Sequence, residues 1–223
     1  MQQHLVIAID GPAGAGKSTV AKRLAAHFGV HVLDTGALFR AFALCVLRRD
    51  IDPMDDIGVQ AALVNAKLDI EIAEHGQRTL LNGEDVSSLI RTPAVSAGAS
   101  ALGANAYVRN VLTQQVRQIA HTRSLVVDGR DVGTAMLPEA KVKFFLTASA
   151  EERARRRMLE QQQTGQAQPF EQVLREIEQR DAFDMQRAIA PLCKARDAYL
   201  VDSTGLSIDE VVGRMVRIVE ASL

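Results

Sequence analysis

A glycine-rich segment near the amino terminus constrains this chain more than any other part of its sequence. Residues 11–19 read GPAGAGKST and fit the pattern G-x-x-x-x-G-K-[ST], the P-loop, whose curled backbone directs several N–H groups at one phosphate. An apolar run at 5–9 precedes it and a helix-like run at 20–28 follows it, which is the strand, loop and helix order that the pattern requires. The sequence therefore predicts a nucleoside triphosphate site rather than an ordinary glycine-rich turn. The predicted nucleotide-binding residues are Gly11, Pro12, Ala13, Gly14, Ala15, Gly16, Lys17, Ser18 and Thr19.

Two side chains of this loop have predicted chemical roles. Lys17 can reach the β- and γ-phosphates of the nucleotide, and the Ser18 hydroxyl can ligate Mg²⁺. We therefore expect Mg²⁺ as the cofactor, with Ser18 as its protein ligand.

Composition limits the class of protein. The chain has 223 residues, enough for one large domain with insertions, and its 26 basic and 27 acidic residues give a net charge of −1. This balance and the absence of Trp argue against a nucleic-acid partner. Without a basic leader or an 18-residue apolar run, we expect a cytoplasmic protein with no membrane partner. Cys45 and Cys193 have no metal or redox spacing, so we expect free, buried thiols.

A second cluster of polar residues follows the apolar run 124–127. Asp128 ends this predicted strand, as in the second acidic motif of P-loop proteins, which supports Mg²⁺. Arg130 and Asp131 follow within the same glycine turn. Because an unpaired charged cluster is costly in a core, we expect it to face a cleft.

Arginines recur where ligand groups are expected. Arg40 interrupts an apolar helix soon after a strand, and is either a ligand residue or a surface arginine whose stem packs on the helix. Arg153 shares a helix face with Arg156 or Arg157, which favours a phosphate clamp over a solvated face. Beyond a polar loop at 161–169, a helix carries Arg180, Asp184 and Arg187 on one face, where simple ion pairing is the alternative. Together these segments indicate a lid that closes over phosphates.

An alternating polar and apolar stretch at 67–72 and turns at 74–77 and 82–85 predict a small antiparallel meander. It interrupts a chain that otherwise alternates strands and helices, so the predicted fold is α/β: a parallel sheet flanked by helices, with insertions. An insertion of this kind is either a substrate-binding flap or a neutral decoration.

In combination, residues 10–19, 33–40, 128–134 and 180–192 resemble the bacterial cytidylate kinase family, in order and spacing along nearly the whole chain. Phe39 stands where that family often has Tyr, and Thr35 where Ser is common. The resemblance implies a P-loop kinase fold in a single domain, 1–223, with a monophosphate-binding insertion at 61–105 and a short lid at 151–170. It also implies a monomer that transfers the γ-phosphoryl group of ATP to CMP or dCMP.

Residue roles follow from the same resemblance. Ser100, Arg109 and Asp131 would contact the cytosine edge, and Arg40, Arg130 and Arg187 would hold the monophosphate. Thr35, Arg180 and Asp184 would lie near the sugar or phosphate, with Asp128 also in the substrate site. Lys17, Arg153, Arg157 and Arg187 would be the catalytic residues, the two lid arginines covering the transferred group.

Two competing functions remain at this point. A kinase of the same architecture for AMP, UMP or shikimate is disfavoured by the meander and by Ser100, Arg109 and Asp131. A regulatory protein that uses the P-loop as a switch is disfavoured because a switch needs no arginine clamp for an acceptor. Detectable phosphoryl transfer would separate an enzyme from a switch.

Overall fold

Strands and helices alternate along most of the chain in the computed structural model, which describes residues 4–73, 76–163, 165 and 168–223. The strands are β1 Val6–Asp10, β2 His31–Asp34, β3 Leu68–Ala73, β4 Gly76–Leu81, β5 Glu84–Asp85, β6 Leu125–Gly129, β7 Val142–Thr147 and β8 Tyr199–Asp202. The helices are α1 Lys17–Phe28, α2 Thr35–Leu47, α3 Asp56–Leu63, α4 Pro93–Leu102, α5 Ala106–Thr122, α6 Ala150–Gln163, α7 Phe170–Gln186 and α8 Ile208–Ser222, and a π-helical turn spans Val132–Met136.

A five-stranded sheet in the order β2-β6-β1-β7-β8 forms the centre of the protein, and all its pairings are parallel. Its middle strands are apolar along nearly their whole length because helices cover both faces. Alternation along β1 sends Ile7 and Ile9 toward α1 and α8, whereas Ala8 faces α2 and α5. The predicted α/β class with a parallel sheet flanked by helices is confirmed.

The sheet brings three carboxylates to one edge. Asp34 in β2 lies opposite Asp128 in β6, and Asp10 in β1 lies opposite Gly129, so β2, β6 and β1 end side by side. Their carboxyl ends form the edge at which open α/β sheets bind ligands. The P-loop leaves β1 at this edge. Gly11 is required there because a Cβ on it would lie 1.9 Å from the carbonyl oxygen of Leu146.

Residues 34–36 read Asp-Thr-Gly, a sequence that predicts a turn, but in the structure a helix begins there. Helix α2 begins at Thr35, directly after β2, and the Asp34 side chain accepts a hydrogen bond from the Ala37 N–H at 3.0 Å. Aspartate is among the best residues at this capping position, which explains why a turn-like sequence begins a helix.

The predicted meander is confirmed as an antiparallel sheet in the order β3-β4-β5. Residues 74 and 75 of its first turn lie outside the described residues. The sheet packs next to α2 through buried Leu68 and Leu81, which belong to the same core as Leu38 and Phe42. Its proposed role as part of a monophosphate-binding insertion at 61–105 stays a prediction.

Helices α6 and α7 pack on each other through a small separate core of Ala154, Val173 and Ile177. Of the polar loop predicted at 161–169, residues 161–163 complete α6, and residues 164, 166 and 167 lie outside the described residues. No described helix is both long enough and apolar enough to span a bilayer. Both cysteines are free, but Cys193 is exposed, so the expectation that both are buried was wrong for it.

Candidate functional site

Lys17, the first residue of α1, is buried within the P-loop. Its side chain turns back to donate a hydrogen bond to the Pro12 carbonyl oxygen at 2.8 Å. Burial, followed by the positive charge of Arg130, lowers the pKa of Lys17 to about 7. A buried ammonium held near other cations is stabilised when an anion enters, which is what a phosphate-binding loop requires.

The Ser18 hydroxyl donates a hydrogen bond to Asp128 Oδ2 at 2.6 Å. Asp128 ends β6, and burial raises the pKa of its carboxyl while Lys17 opposes that rise. Thr35 donates from its hydroxyl to the Asp128 carbonyl oxygen at 2.8 Å. The structure therefore brings the predicted residues Ser18, Thr35 and Asp128 together beside Lys17.

The Ser18 hydroxyl oxygen and the Asp128 carboxylate fit a magnesium ion. Among the residues described, no group of three or more His, Cys, Asp and Glu side chains is arranged as a metal site. Mg²⁺ at a nucleotide does not need one, because it binds through one or two protein oxygens, phosphates and water. The Ser18 hydroxyl and the buried Asp128 carboxylate supply such oxygens, and a cation would stabilise that carboxylate.

Asp10 is a site residue that the sequence reasoning left without a role. Its carboxylate is buried and accepts two backbone hydrogen bonds, from Val132 N–H to Oδ1 and from Gly133 N–H to Oδ2, both at 2.7 Å. Burial raises the pKa of Asp10 to about 6, against the lowering effect of the two N–H groups. Its position as the last residue of a strand before a ligand loop, like that of Asp128, was the available signal.

A buried ion network joins predicted site residues from three elements. The Asp131 carboxylate pairs with Arg109 of α5 on one oxygen and with Arg187 on the other, where the distance to Nη2 is 3.0 Å. None of the three side chains is more than 6% exposed. Arg109 also donates to the Gly103 carbonyl oxygen at 3.1 Å and lies over the Phe39 ring. Arg187 is thus engaged with Asp131 rather than with the P-loop.

Asp184 of α7 is the centre of an adjoining cluster. It accepts a hydrogen bond from the Ser100 hydroxyl at 3.1 Å and one from Arg130 Nε at 3.2 Å. The Ser100 side chain therefore lies beside the Asp131 network, through Asp184 and Arg187, whose Nη1 is 4.0 Å from Asp184. Every predicted base-contacting residue is in this connected set.

Arg40 and Arg180 add two further positive charges to this cluster, and each has an unused hydrogen-bond donor. Arg40 pairs with Asp34 at 2.8 Å and is 21% exposed, so it is a largely buried arginine and not a surface one. Burial, then Arg130, lowers the pKa of Arg180 to about 10. In the part of the chain that the structure describes, the buried Nε atoms of Arg40 and Arg180 have no hydrogen-bond partner. Unsatisfied cationic donors in one cleft indicate an anion site.

The two lid arginines have different surroundings. Arg153 is buried and donates to the carbonyl oxygens of Ala148 and Ala13, at 2.9 and 3.2 Å, and it pairs with Asp181 of α7 at 2.7 Å. It therefore links α6 and α7 to the P-loop. Arg157 is 52% exposed, with Glu160 at 3.7 Å, and it adds to the positive potential at Arg180.

Gln77 of β4 connects the antiparallel insertion to this site. Its carboxamide oxygen accepts from the Asp34 N–H at 2.8 Å, and its nitrogen donates to the Asp34 carbonyl oxygen at 3.3 Å. Since Asp34 caps α2 and pairs with Arg40, Gln77 fixes the residue that orients this arginine. The sequence offered no signal for this contact.

Comparisons with known proteins agree on one family. The sequence profile described as Cytidylate kinase matches residues 7–221. A curated cytidylate kinase from Desulforamulus reducens is 49% identical over 220 residues, covering 99% of each chain. Another, from Carboxydothermus hydrogenoformans, is 48% identical over 213 residues and covers 96% of each chain.

Similar solved structures are more distant and show the fold alone. A gluconokinase from Sinorhizobium meliloti aligns with a TM-score of 0.51 at 14% identity, covering 99% of this chain and 97% of the other. A shikimate kinase from Bacteroides thetaiotaomicron has the same TM-score at 15% identity, covering 97% and 98%. The fold that positions the carboxyl edge of the sheet is therefore one that these kinases share.

Proposed function

This chain belongs to the cytidylate kinase family, and we propose how its side chains divide the work of that family's reaction. The protein is an enzyme that transfers the γ-phosphoryl group of ATP to CMP or dCMP, giving ADP and CDP or dCDP. One observation carries the assignment of the acceptor site: two buried arginines, Arg40 and Arg180, hold unpartnered donors beside a buried network of acidic and basic groups. Such a site suits a ligand that joins a phosphate to a polar base.

The cytosine edge is recognised by Ser100, Arg109 and Asp131. Cytosine presents two acceptors, O2 and N3, and one donor, the N4 amine, so its pocket needs both donors and an acceptor. Arg109 supplies the donors, and the Asp131 carboxylate accepts from the amine. Uracil has a carbonyl at position 4, which would face that carboxylate unfavourably. Support comes from the burial of the Arg109 and Asp131 side chains, which raises the cost of leaving either of them unpaired.

The monophosphate is held by Arg40, Arg130 and Arg187, and Thr35, Arg180 and Asp184 lie near the sugar or the phosphate. The mutual repulsion of Arg130, Arg40 and Arg180 supports this assignment, because a dianion relieves it. In the described structure Arg187 contacts Asp131, so its approach to the phosphate requires that it leave or share that partner.

Catalysis is alignment and charge neutralisation, without a general base. The acceptor phosphate has a second pKa near 6 and is already a nucleophilic dianion at neutral pH. Residues 11–19 bind the triphosphate, and Lys17 donates to its β- and γ-phosphates. Arg130 and Arg180, which hold the acceptor, lie close enough to Lys17 to lower its pKa, so donor and acceptor are brought together. Ser18 and Asp128 would hold Mg²⁺, which when bound would supply further neutralisation of the phosphate charge.

Two segments of the single domain 1–223 control access. The lid, 151–170, excludes water that would otherwise hydrolyse ATP; Arg157 faces the transferred group, and Arg153 joins the lid to the P-loop through Ala13. The insertion, 61–105, closes over the acceptor. Since one chain supplies donor and acceptor sites, the enzyme acts as a monomer, with no nucleic-acid partner.

The test is the initial rate with Mg·ATP and a panel of acceptors: CMP, dCMP, UMP, AMP, GMP, shikimate and gluconate. We expect strong turnover of CMP and dCMP alone. Preference for another acceptor would retain the phosphoryl-transfer site and reject the proposed base pocket. Bound ATP without transfer to any acceptor would favour a switch protein.

A further inference from the structure

The π-helical turn at Val132–Met136 has an unusual cap. Asp131 occupies the position before its first residue, where an aspartate normally accepts hydrogen bonds from the first free N–H groups. In the described structure the Asp131 side chain makes no such bond. Its two carboxylate oxygens are bound to Arg109 and Arg187 instead.

Asp10 takes over the capping that Asp131 does not perform. The N–H groups of Val132 and Gly133 are the first two of the turn, and each binds one oxygen of the Asp10 carboxylate at 2.7 Å. The two partners are more than 120 residues away along the chain. Because both N–H groups are buried, they would be unsatisfied without Asp10 or another acceptor. Asp131, as the capping residue of the turn, carries the carboxylate that would take this role by position.

The fit between Asp10 and the turn leaves little room for adjustment. A Cβ added at Gly133 would lie 3.3 Å from Asp10 Oδ2 and 3.2 Å from the Lys143 side chain. The contact also links two functional loops, because Asp10 directly precedes the P-loop and the turn directly follows Arg130 and Asp131.

We infer that Asp10 is a positioning residue for base recognition: by capping the 132–136 turn, it keeps the Asp131 carboxylate out of that cap and in its pairing with Arg109 and Arg187, from which it faces the cytosine. The inference rests on the proposed role of Asp131 at the cytosine N4 amine. Asp10 itself touches neither nucleotide. Without its carboxylate, Asp131 turns toward the N–H groups of its own turn and no longer accepts from the base.

The test is a comparison of Asp10→Asn with wild type, using CMP and UMP as acceptors. A carboxamide keeps the shape but has one acceptor oxygen, so one N–H loses its partner and faces an NH₂ group. We expect kcat/KM for CMP relative to UMP to fall about tenfold, the equivalent of one charge-assisted hydrogen bond. The KM for ATP should change by less than about threefold, since P-loop contacts are retained. Asp209→Asn, an exposed aspartate on α8, controls for loss of a carboxylate elsewhere.

Gly133→Ala disturbs the same contact between Asp10 and the turn, but from the side of the turn. It replaces Asp10→Asn as the test variant if Asp10→Asn does not fold. Its added methyl group displaces the turn from Asp10, so the CMP preference should fall in the same way. In the double variant the two effects should be less than additive, because both break one contact.

Measuring Asp131→Asn in parallel separates the role of Asp10 from the base pocket on which that role depends. If Asp131→Asn erodes the CMP preference and the folded Asp10 and Gly133 variants do not, the inference about Asp10 is wrong and the base pocket stands. If Asp131→Asn leaves the preference intact, the pocket assignment fails and the inference falls with it. Equal increases in the KM values for ATP and CMP, with an unchanged CMP to UMP ratio, would identify Asp10 as a purely structural residue.

Discussion

Replacing Asp131 by Ala leaves two buried guanidinium groups without their countercharge. Asp131 pairs with both Arg109 and Arg187, and the three side chains are at most 6% exposed. Water cannot replace the lost carboxylate without opening the pocket. The substitution therefore tests whether the network is as desolvated as its burial indicates.

The expected loss is large for a single substitution. Removing one partner of a buried ion pair costs about 3–5 kcal/mol, because the remaining charge is left uncompensated. For a domain of this size, each kcal/mol lowers Tm by about 2–4 °C, so Tm should fall by about 6–20 °C. Asp131→Asn, which keeps one acceptor oxygen, should lose less than Asp131→Ala.

The assay is urea and thermal unfolding followed by far-UV circular dichroism, since the chain has no Trp for fluorescence. The matched control is Asp69→Ala, which removes an aspartate from an exposed pair: Lys67 lies 3.1 Å away, and the two side chains are 76% and 46% exposed. Such exposed pairs contribute about 0–1 kcal/mol. An Asp131→Ala loss no larger than that of the control would refute the reasoning, because it would show that the network is screened by solvent.

Four further expectations concern three residues. Because the pKa of Lys17 falls from 10.5 to about 7 on folding, the unfolded chain holds more protons between those values, so the unfolding free energy should rise with pH there by at most about 1.4 kcal/mol per pH unit. Urea titrations of Lys17→Met should lack that rise, and an identical slope would contradict the buried, cationic environment. The same Lys17→Met variant should lose several orders of magnitude in kcat, and near-normal turnover would remove the P-loop from the mechanism. Asp184→Ala should reduce kcat/KM for CMP more than for dCMP if this carboxylate binds the ribose hydroxyls, and equal losses would argue against that contact. Gln77→Ala should raise the KM for CMP about threefold to tenfold by releasing both backbone groups of Asp34, whereas Gln114→Ala, on exposed α5 surface, should not; similar values for the two variants would mean that the insertion docks without Gln77.

The sequence was sufficient where local physics decides the structure. The glycine pattern at 11–19 defines a loop that only glycine at Gly11 can make, next to the Leu146 carbonyl. Alternation at 67–72 predicted a strand, and Asp128 at the end of an apolar run predicted a polar cluster at the end of a strand. The sequence pattern gave the wrong prediction at Asp34, a turn in place of a helix start. Turns and helix caps favour the same residues, and only the following helix distinguishes the two.

Contacts between residues that are far apart in the chain could not be predicted from the sequence. Spacing on α7 put Arg180, Asp184 and Arg187 on one face, but it could not show that Arg187 binds Asp131 while Arg180 keeps a buried, unpartnered Nε. The roles of Asp10 and Gln77 likewise depend on partners in other elements. Strand order determines these contacts, and no single local preference encodes that order.

The order in which the chain is synthesised has a consequence for when the enzyme becomes competent. Ser100 meets Asp184 across 84 residues and Asp131 meets Arg187 across 56, so the acceptor pocket closes large loops of chain. Segments from β1 to β6 leave the ribosome long before α7. A nascent chain of that length already carries its P-loop and the Arg40–Asp34 pair, but Arg130 and Ser100 lack their partner Asp184. With the acceptor site proposed above, we expect phosphorylation of cytidylate to await the last fifth of translation, and a prematurely released chain to be inactive toward it.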